Sequence, residues 1–171
     1  ETYYDPGLVN WRAHNFYDQI SYKGIAAAAD ESYYAHQVGR VLLVYLNSES
    51  GFSAQTEWLR KVVTAVDADP DVDWVISVVH RPYQAEQYVG DISQWFRDTA
   101  MPILAGTRKH ALNIGAHHHL YARGQTRDWP IYHIISGGTA WDQFWGQSTE
   151  RDMDDVQKTI ANWKRPSKKK S

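Results

Sequence analysis

Val41-Leu42-Leu43-Val44-Tyr45-Leu46 and Trp74-Val75-Ile76-Ser77-Val78-Val79-His80 decide the fold. The first is a continuous apolar run and the second is interrupted only by Ser77 before it ends at His80, and such runs predict strands buried on both faces. Between them, Ala54 to Val66 puts Trp58, Leu59, Val62, Val63 and Val66 on one helical face, with Ser53 as the N-cap. Asp67 to Asp73, with Pro70, reads as an acidic connector. Ile92 to Leu104 predicts a second helix, with Trp95, Phe96 and Leu104 inward and Pro102 bending or ending it. Ala111 to Ile114 predicts a third strand running into Gly115. Ile131 to Ile135 predicts a fourth, running into Ser136-Gly137-Gly138-Thr139. Asp154 to Trp163 reads as a further helix. The first forty residues read as irregular or partly helical, with a turn at Asp5-Pro6-Gly7 and with Trp11, Phe16 and Tyr17 as packing anchors. Strands alternating with helices are the signature of an α/β layered fold. Ligands and catalytic groups gather at strand C-terminal ends in such folds.

The whole-chain arithmetic agrees with that reading and narrows the function. The 171 residues are a single-domain length, 43% of them apolar and 22% charged, which is a soluble globular composition. The 8 Trp and 11 Tyr argue against disorder and against a coiled coil. The longest apolar run, Val41 to Leu46, is far too short to span a bilayer. Without cysteine there is neither a disulfide framework nor thiolate chemistry. The net charge of −2 hides an asymmetry: the tail from 164 to 171 carries +5, and the rest of the chain therefore −7. An acidic body repels phosphate backbones, which argues against a nucleic-acid-binding domain. The tail reads as a solvated end or linker.

Three clusters carry chemistry, each just after a strand. They are His80-Arg81-Pro82-Tyr83, Gly115-Ala116-His117-His118-His119-Leu120-Tyr121-Ala122-Arg123, and Ser136-Gly137-Gly138-Thr139. Neutral imidazole is a good ligand for Zn, Fe and Mn ions. His117 and His119 are two residues apart, so in extended backbone both face one site, and in a turn they straddle two ions. His80, at the end of a neighbouring strand, is placed to converge on them. Three histidines from separate strand ends make a metal site the reading to test.

These residues, in this order, resemble the second half of a calcineurin-like metallophosphoesterase of the purple acid phosphatase branch. The resemblance rests on His80-Arg81-Pro82 at a strand end and on His117, His119, Tyr121 and Arg123 in the spacing His-x-His-x-Tyr-x-Arg. Gln55, Trp58 and Leu59 match a helix start, Gly137-Gly138 matches a late strand end, and the match runs over roughly residues 34–145. It implies an α/β fold, a layered β-sandwich flanked by helices. Residues 1–163 would be the C-terminal part of that domain and 164–171 a basic tail. It also implies phosphate-ester hydrolysis at a two-metal site of Fe, Zn or Mn type ions. His80 and His117 would bind one ion and His119 the other, and Tyr121, Arg123 and Arg81 would set the loops around them. Ala116 stands where the family has Gly, so His118 stays a candidate ligand. Asp128 and Asp142 are further candidates for orienting the ligands.

The family places proton-donating His residues soon after the His80 equivalent. Here the stretch Gln84 to Gly90 holds none, leaving Glu86 or Tyr88 for that work, or a diester that needs less help. The family's upstream metal-binding motifs, including the bridging carboxylate, have no match in this sequence. Glu1-Thr2-Tyr3-Tyr4-Asp5 resembles the residues just after one of those motifs. The expectation is therefore an incomplete domain whose site is finished by upstream residues, since adjacent dications repel without a bridging anion. Alone, the chain should bind at most one ion, weakly. Val41–Leu46 or Trp74–Val79 is then expected to present an apolar edge for a partner half or for self-association. Two other readings stand beside this one. One is a non-catalytic assembly module built on the same fold; the other is a one-zinc hydrolase using His80, His117 and His119. Trp141, Phe144 and Trp145 are candidates for a substrate pocket or for the core. The resemblance and the lack of cysteine fit a secreted or periplasmic location.

Overall fold

A computed structural model describes residues 21–29, 32–85, 91–125 and 128–137. The turn at Asp5, the anchors Trp11, Phe16 and Tyr17, the helix expected over 154–163 and the tail lie outside the described residues. So do Glu86, Tyr88, Gly138, Trp141, Asp142, Phe144 and Trp145.

The two apolar runs form strands over the expected residues, β4 (Val41–Leu46) and β5 (Trp74–Val79), paired in parallel. A short hairpin, β1 (Ser21–Tyr22) and β2 (Ile25–Ala26), precedes β3 (Tyr34–Val38). After β5 come β6 (His110–Gly115), β7 (Tyr121–Gln125) and β8 (Tyr132–Ser136). The six-stranded mixed sheet runs in the order β3-β4-β5-β6-β8-β7, with β3 and β7 antiparallel to their neighbours. Helix α1 (Phe52–Asp67) crosses from β4 to β5. A π-helical turn (Phe96–Ala100) continuing into α2 (Met101–Leu104) lies between β5 and β6. This is a mixed sheet with flanking helices, as part of an α/β metallophosphoesterase-like domain would have.

Helix α1 is positioned by its motif residues. Gln55 is fully buried and takes both hydrogen bonds of the Asn47 peptide, from N (2.8 Å) and to O (2.9 Å). That clamps the helix start to the end of β4 and removes the cost of a buried, unpaired peptide. The Trp58 indole donates to Ala26 O at 2.9 Å, and Leu59, Val62 and Val66 fill the core against Leu42, Val44, Val75 and Val79. The helix begins earlier than the Ser53 N-cap predicts. Gly51 is the N-cap, in a left-handed conformation (φ 69°), and no side chain caps the helix. In the second helical segment Ser93 does act as a cap, its Oγ accepting from Phe96 N at 3.2 Å. Pro102 does not end that helix. The wider π turn before it accommodates a residue that lacks an N–H and crowds the preceding turn.

Tyr121 and Arg123 lie on strand β7. Two further expectations are corrected. Tyr34–Val38, within the stretch read as irregular or helical, is a strand. The strands expected to present open edges, β4 and β5, are interior, and among the described residues the edge strands are β3 and β7. Nor are β4 and β5 equally covered on both sides. Leu42, Val44, Leu46, Val75, Ser77 and Val79 are buried under the helices, whereas Leu43, Tyr45, Ile76 and Val78 on the opposite face are half-buried. By register, the exposed Val38, Trp74, Tyr121 and Tyr132 share that opposite face. None of the helices among the described residues is long and apolar enough to cross a membrane.

Beneath the helices a row of polar groups crosses the sheet. His110 Nε2 meets Ser77 Oγ at 2.9 Å, and Asn113 Nδ2 donates to the same oxygen at 3.0 Å. Asn113 Oδ1 pairs with His133 Nδ1 at 2.8 Å, and His133 Nε2 reaches Gln84 O at 3.2 Å. Burial pushes both imidazoles down to about 4. A histidine depressed in the fold binds fewer protons than in the unfolded chain between its folded value and about 6.5. Stability contributed by the two rings is thus present above pH 6.5 and lost as pH falls toward 4. Thermal unfolding should show a falling Tm across that window, with a slope flattened in the His110→Gln/His133→Gln double variant. An equal slope in the variant would refute the assignment.

Candidate metal centre

The C-terminal ends of β4, β5, β6 and β8 meet at one end of the sheet, where parallel pairing aligns them. Their loops are tied by backbone bonds. Ala116 N donates to His80 O at 2.9 Å, and Gly137 N donates to Leu120 O at 2.9 Å. Ser93 N donates to Pro82 O at 2.9 Å, which brings the start of the second helical segment to the same place. The Ser48 hydroxyl, just past β4, accepts from Arg81 N at 3.0 Å and donates to Glu49 at 2.7 Å.

His80 and His117 converge on each other. His117 Nδ1 lies 3.1 Å from His80 Nε2, and the rings stand at 73°. His117 has a left-handed backbone (φ 64°), so the histidine run is a turn rather than an extended segment. On its other side His117 Nε2 lies 2.7 Å from Asp91 Oδ2. Arg81 pairs with the other oxygen of Asp91, and its Nε donates to Glu49 at 3.0 and 3.2 Å. His118 is buried, with Nε2 2.8 Å from the Asp91 carbonyl oxygen. His119 is half-buried, while Tyr121, Arg123 and Asp128 are exposed. Among the described residues one group of three places its ligand atoms within 4.8 Å of one another: Asp91, His117 and His118.

The electrostatics suit neutral nitrogen donors beside anionic oxygen. Desolvation of its ring, reinforced by the nearby His117, lowers the pKa of the otherwise exposed His80 below the ordinary imidazole value. Burial also lowers His118, which stays neutral at pH 7. Burial works to raise the Asp91 carboxyl, but the His117 hydrogen bond and the Arg81 guanidinium outweigh it and hold it low. For Glu49, burial is likewise outweighed by the Ser48 hydroxyl and by Arg81.

The donor set fits a divalent ion. Two nitrogens each about 2.1 Å from one ion lie about 3.0–3.4 Å apart across right-angled to tetrahedral geometry. The 3.1 Å between His80 Nε2 and His117 Nδ1 falls in that range. Asp91 and Glu49 escaped the sequence reading. Acidic residues are common on surfaces, and these two reach the site only through folding, Asp91 being 26 residues from His117 and Glu49 being 32 from Arg81.

The turn carrying the histidines is closed by a tight approach. A Cβ on Gly137 would overlap the His118 carbonyl oxygen, so only glycine fits there. Gly137→Ala should destabilise by about 1–3 kcal/mol or more in denaturant unfolding. At His117 the left-handed backbone costs an L-residue about 1–2 kcal/mol. His117→Gly should therefore unfold at higher denaturant than His117→Ala, by the equivalent of about 1 kcal/mol. Equal midpoints would show that His117 is not held in that conformation in solution.

Neither a scan of protein-family models nor a search of curated proteins finds a match to this chain. Solved structures do match. A purple acid phosphatase from seeds of yellow lupin (Lupinus luteus) superimposes with a TM-score of 0.60 at 19% identity, over 73% of this chain and 26% of that one. A dimetal phosphatase from Danio rerio superimposes with a TM-score of 0.50 at 15% identity, over 64% of this chain and 51% of that one. The match thus spans about a quarter of the lupin protein and half of the fish protein. At such identities the likeness speaks for the fold. These neighbours are calcineurin-like metallophosphoesterases, so the described residues fold as part of an α/β domain of the metallophosphoesterase type, the one that the histidine motifs resemble.

Proposed function

We propose that this chain forms part of a metal-dependent phosphoesterase, with His80 and His117 holding one ion and His119 supplying a second. The observation that carries the proposal is the 3.1 Å approach of His80 Nε2 and His117 Nδ1 at the strand ends of this fold. The metals would polarise the phosphoryl oxygens, lower the pKa of bound water and offset charge on the leaving oxygen. The chain's own contribution is positional. The two imidazoles would turn Nε2 of His80 and Nδ1 of His117 to the ion, which would displace the proton between them, and Arg81 and Glu49 brace the turn after β5. The carboxylate that would bridge two ions, and any group completing the site, would come from residues beyond those described. The substrate class is a phosphate ester.

The non-catalytic assembly module is the second reading. One observation favours it: Val38, Trp74, Tyr121 and Tyr132, 55–62% exposed, share the sheet face away from the helices. Activity separates the two.

The test uses the native polypeptide with added Zn²⁺, Mn²⁺ or Fe²⁺ and two substrates, p-nitrophenyl phosphate and bis-p-nitrophenyl phosphate. Hydrolysis should depend on the ion and be lost with a chelator. His80→Ala and His119→Ala should each cost more than the roughly ten- to hundredfold loss typical of residues outside the ligand set. Full activity in both variants, or metal-independent turnover, would refute the two-metal reading. A native protein with no hydrolysis and no metal uptake would leave the assembly reading in its place.

A further inference from the structure

We propose that Asp91 is a positioning residue that fixes the tautomer and orientation of His117, so that Nδ1 is the nitrogen presented toward His80. This rests on reading His80 and His117 as the ligand pair. Each polar atom around Asp91 has a separate task. Oδ2 lies 2.7 Å from His117 Nε2, Oδ1 pairs with Arg81, and the peptide oxygen lies 2.8 Å from His118 Nε2. A carboxylate only accepts, so the short contact to His117 requires the proton on Nε2. A neutral imidazole with its proton there has a bare lone pair on Nδ1. That lone pair is the one directed at His80 Nε2, 3.1 Å away.

Asp91 is itself held in place. Arg81 bridges it to Glu49, whose two oxygens accept from Arg81 Nε at 3.0 and 3.2 Å. The Arg81 peptide is anchored on Ser48 Oγ at 3.0 Å. A relay thus runs from the end of β4 through Glu49, Arg81 and Asp91 to His117. A carboxylate behind a ligating histidine raises ligand basicity and locks the ring, and its loss typically costs about 10–100-fold in metal affinity. The competing arrangement makes Asp91 a direct ligand together with His117 and His118, whose ligand atoms lie within 4.8 Å. Two contacts speak against it: Oδ2 is engaged by His117, and the buried His118 ring turns Nε2 to the Asp91 peptide oxygen.

The experiment has two readouts on the full chain. Long-range ¹⁵N–¹H correlation of the metal-free protein reports the His117 tautomer, and calorimetry with Zn²⁺ alone reports affinity and stoichiometry. The wild type should carry its proton on Nε2. Asp91→Ala should lose that preference and weaken Zn²⁺ binding about 10–100-fold at unchanged stoichiometry. Asp91→Glu should restore most of both. His80→Ala should lose more affinity than Asp91→Ala while keeping the Nε2 tautomer. Asp91→Leu, which keeps the bulk and has no acceptor, takes the place of the Ala variant if that one does not fold. A His117 tautomer that ignores Asp91 would overturn the positioning role. So would Asp91→Ala with wild-type affinity, or Asp91→Ala losing more affinity than His80→Ala, which would mark a direct ligand. A wild type that takes up no Zn²⁺ would overturn the ligand-pair reading instead, with the tautomer still deciding the role of Asp91.

Discussion

The peptide hydrogen bond from Ala116 N to His80 O holds the head of the sheet together. It continues the parallel pairing of β5 and β6 one step beyond the last ladder pair, Val78 with Ile114. Without it the two loops would leave the sheet independently. With it, His80 and Ala116 lie across from each other at a strand spacing, about 4.8 Å. His117 follows directly, and its Nδ1 meets His80 Nε2 at 3.1 Å. The other ties extend the same constraint: Ser48 to Arg81, Pro82 to Ser93, and Leu120 to Gly137. Four strand ends are thereby fixed to one another by groups that also satisfy loop peptides which a sheet would otherwise leave unpaired.

Below this head, the sheet carries polar groups where an apolar core would pack more simply. Ser77, Asn113, His110 and His133 hydrogen-bond in a row under the helices. Each is paired within the row, which offsets the cost of burying it. The row ends at the Gln84 carbonyl, in the loop that leaves His80 and leads toward Asp91. Tyr83 stacks edge-on against His133 at 4.8 Å and against Phe96 at 5.9 Å, joining that loop to the core. The loop carrying Arg81 is thus held from below by the sheet and from above by Glu49 and Asp91.

The elements most legible in the sequence are those whose burial is decided by composition alone. β4 and β5 read to their terminal residues, because short runs rich in β-branched and aliphatic residues, bounded by polar turns, favour strands. α1 read from its apolar stripe, though not from its cap, since a left-handed Gly51 leaves no side-chain oxygen to recognise. β3 and β7 were illegible. Tyr-Ala-His-Gln-Val and Tyr-Ala-Arg-Gly-Gln have the mixed polarity of edge strands, and only a neighbour's hydrogen bonds make them strands. At the candidate metal site the pattern is the reverse. His80 and His117 were conspicuous because clustered histidines after strands are uncommon. Asp91 and Glu49 were not, because a carboxylate gains a role only from the groups that folding sets beside it.

His117 shows why that setting matters. An L-residue in the left-handed region persists only where surrounding contacts over-determine it. Here those contacts are identifiable. The His80 carbonyl holds the preceding peptide, and His118 N donates to Ala116 O at 2.7 Å. Gly137 packs against the His118 carbonyl so closely that no side chain is tolerated there. Relaxing the turn would relieve His117, but it would also separate Nδ1 from His80 and Nε2 from Asp91. The strained backbone is therefore the condition for a single imidazole to face a histidine on one side and a carboxylate on the other. An unstrained extended segment would turn that ring with the pleat of β6, and the two contacts could not be made together.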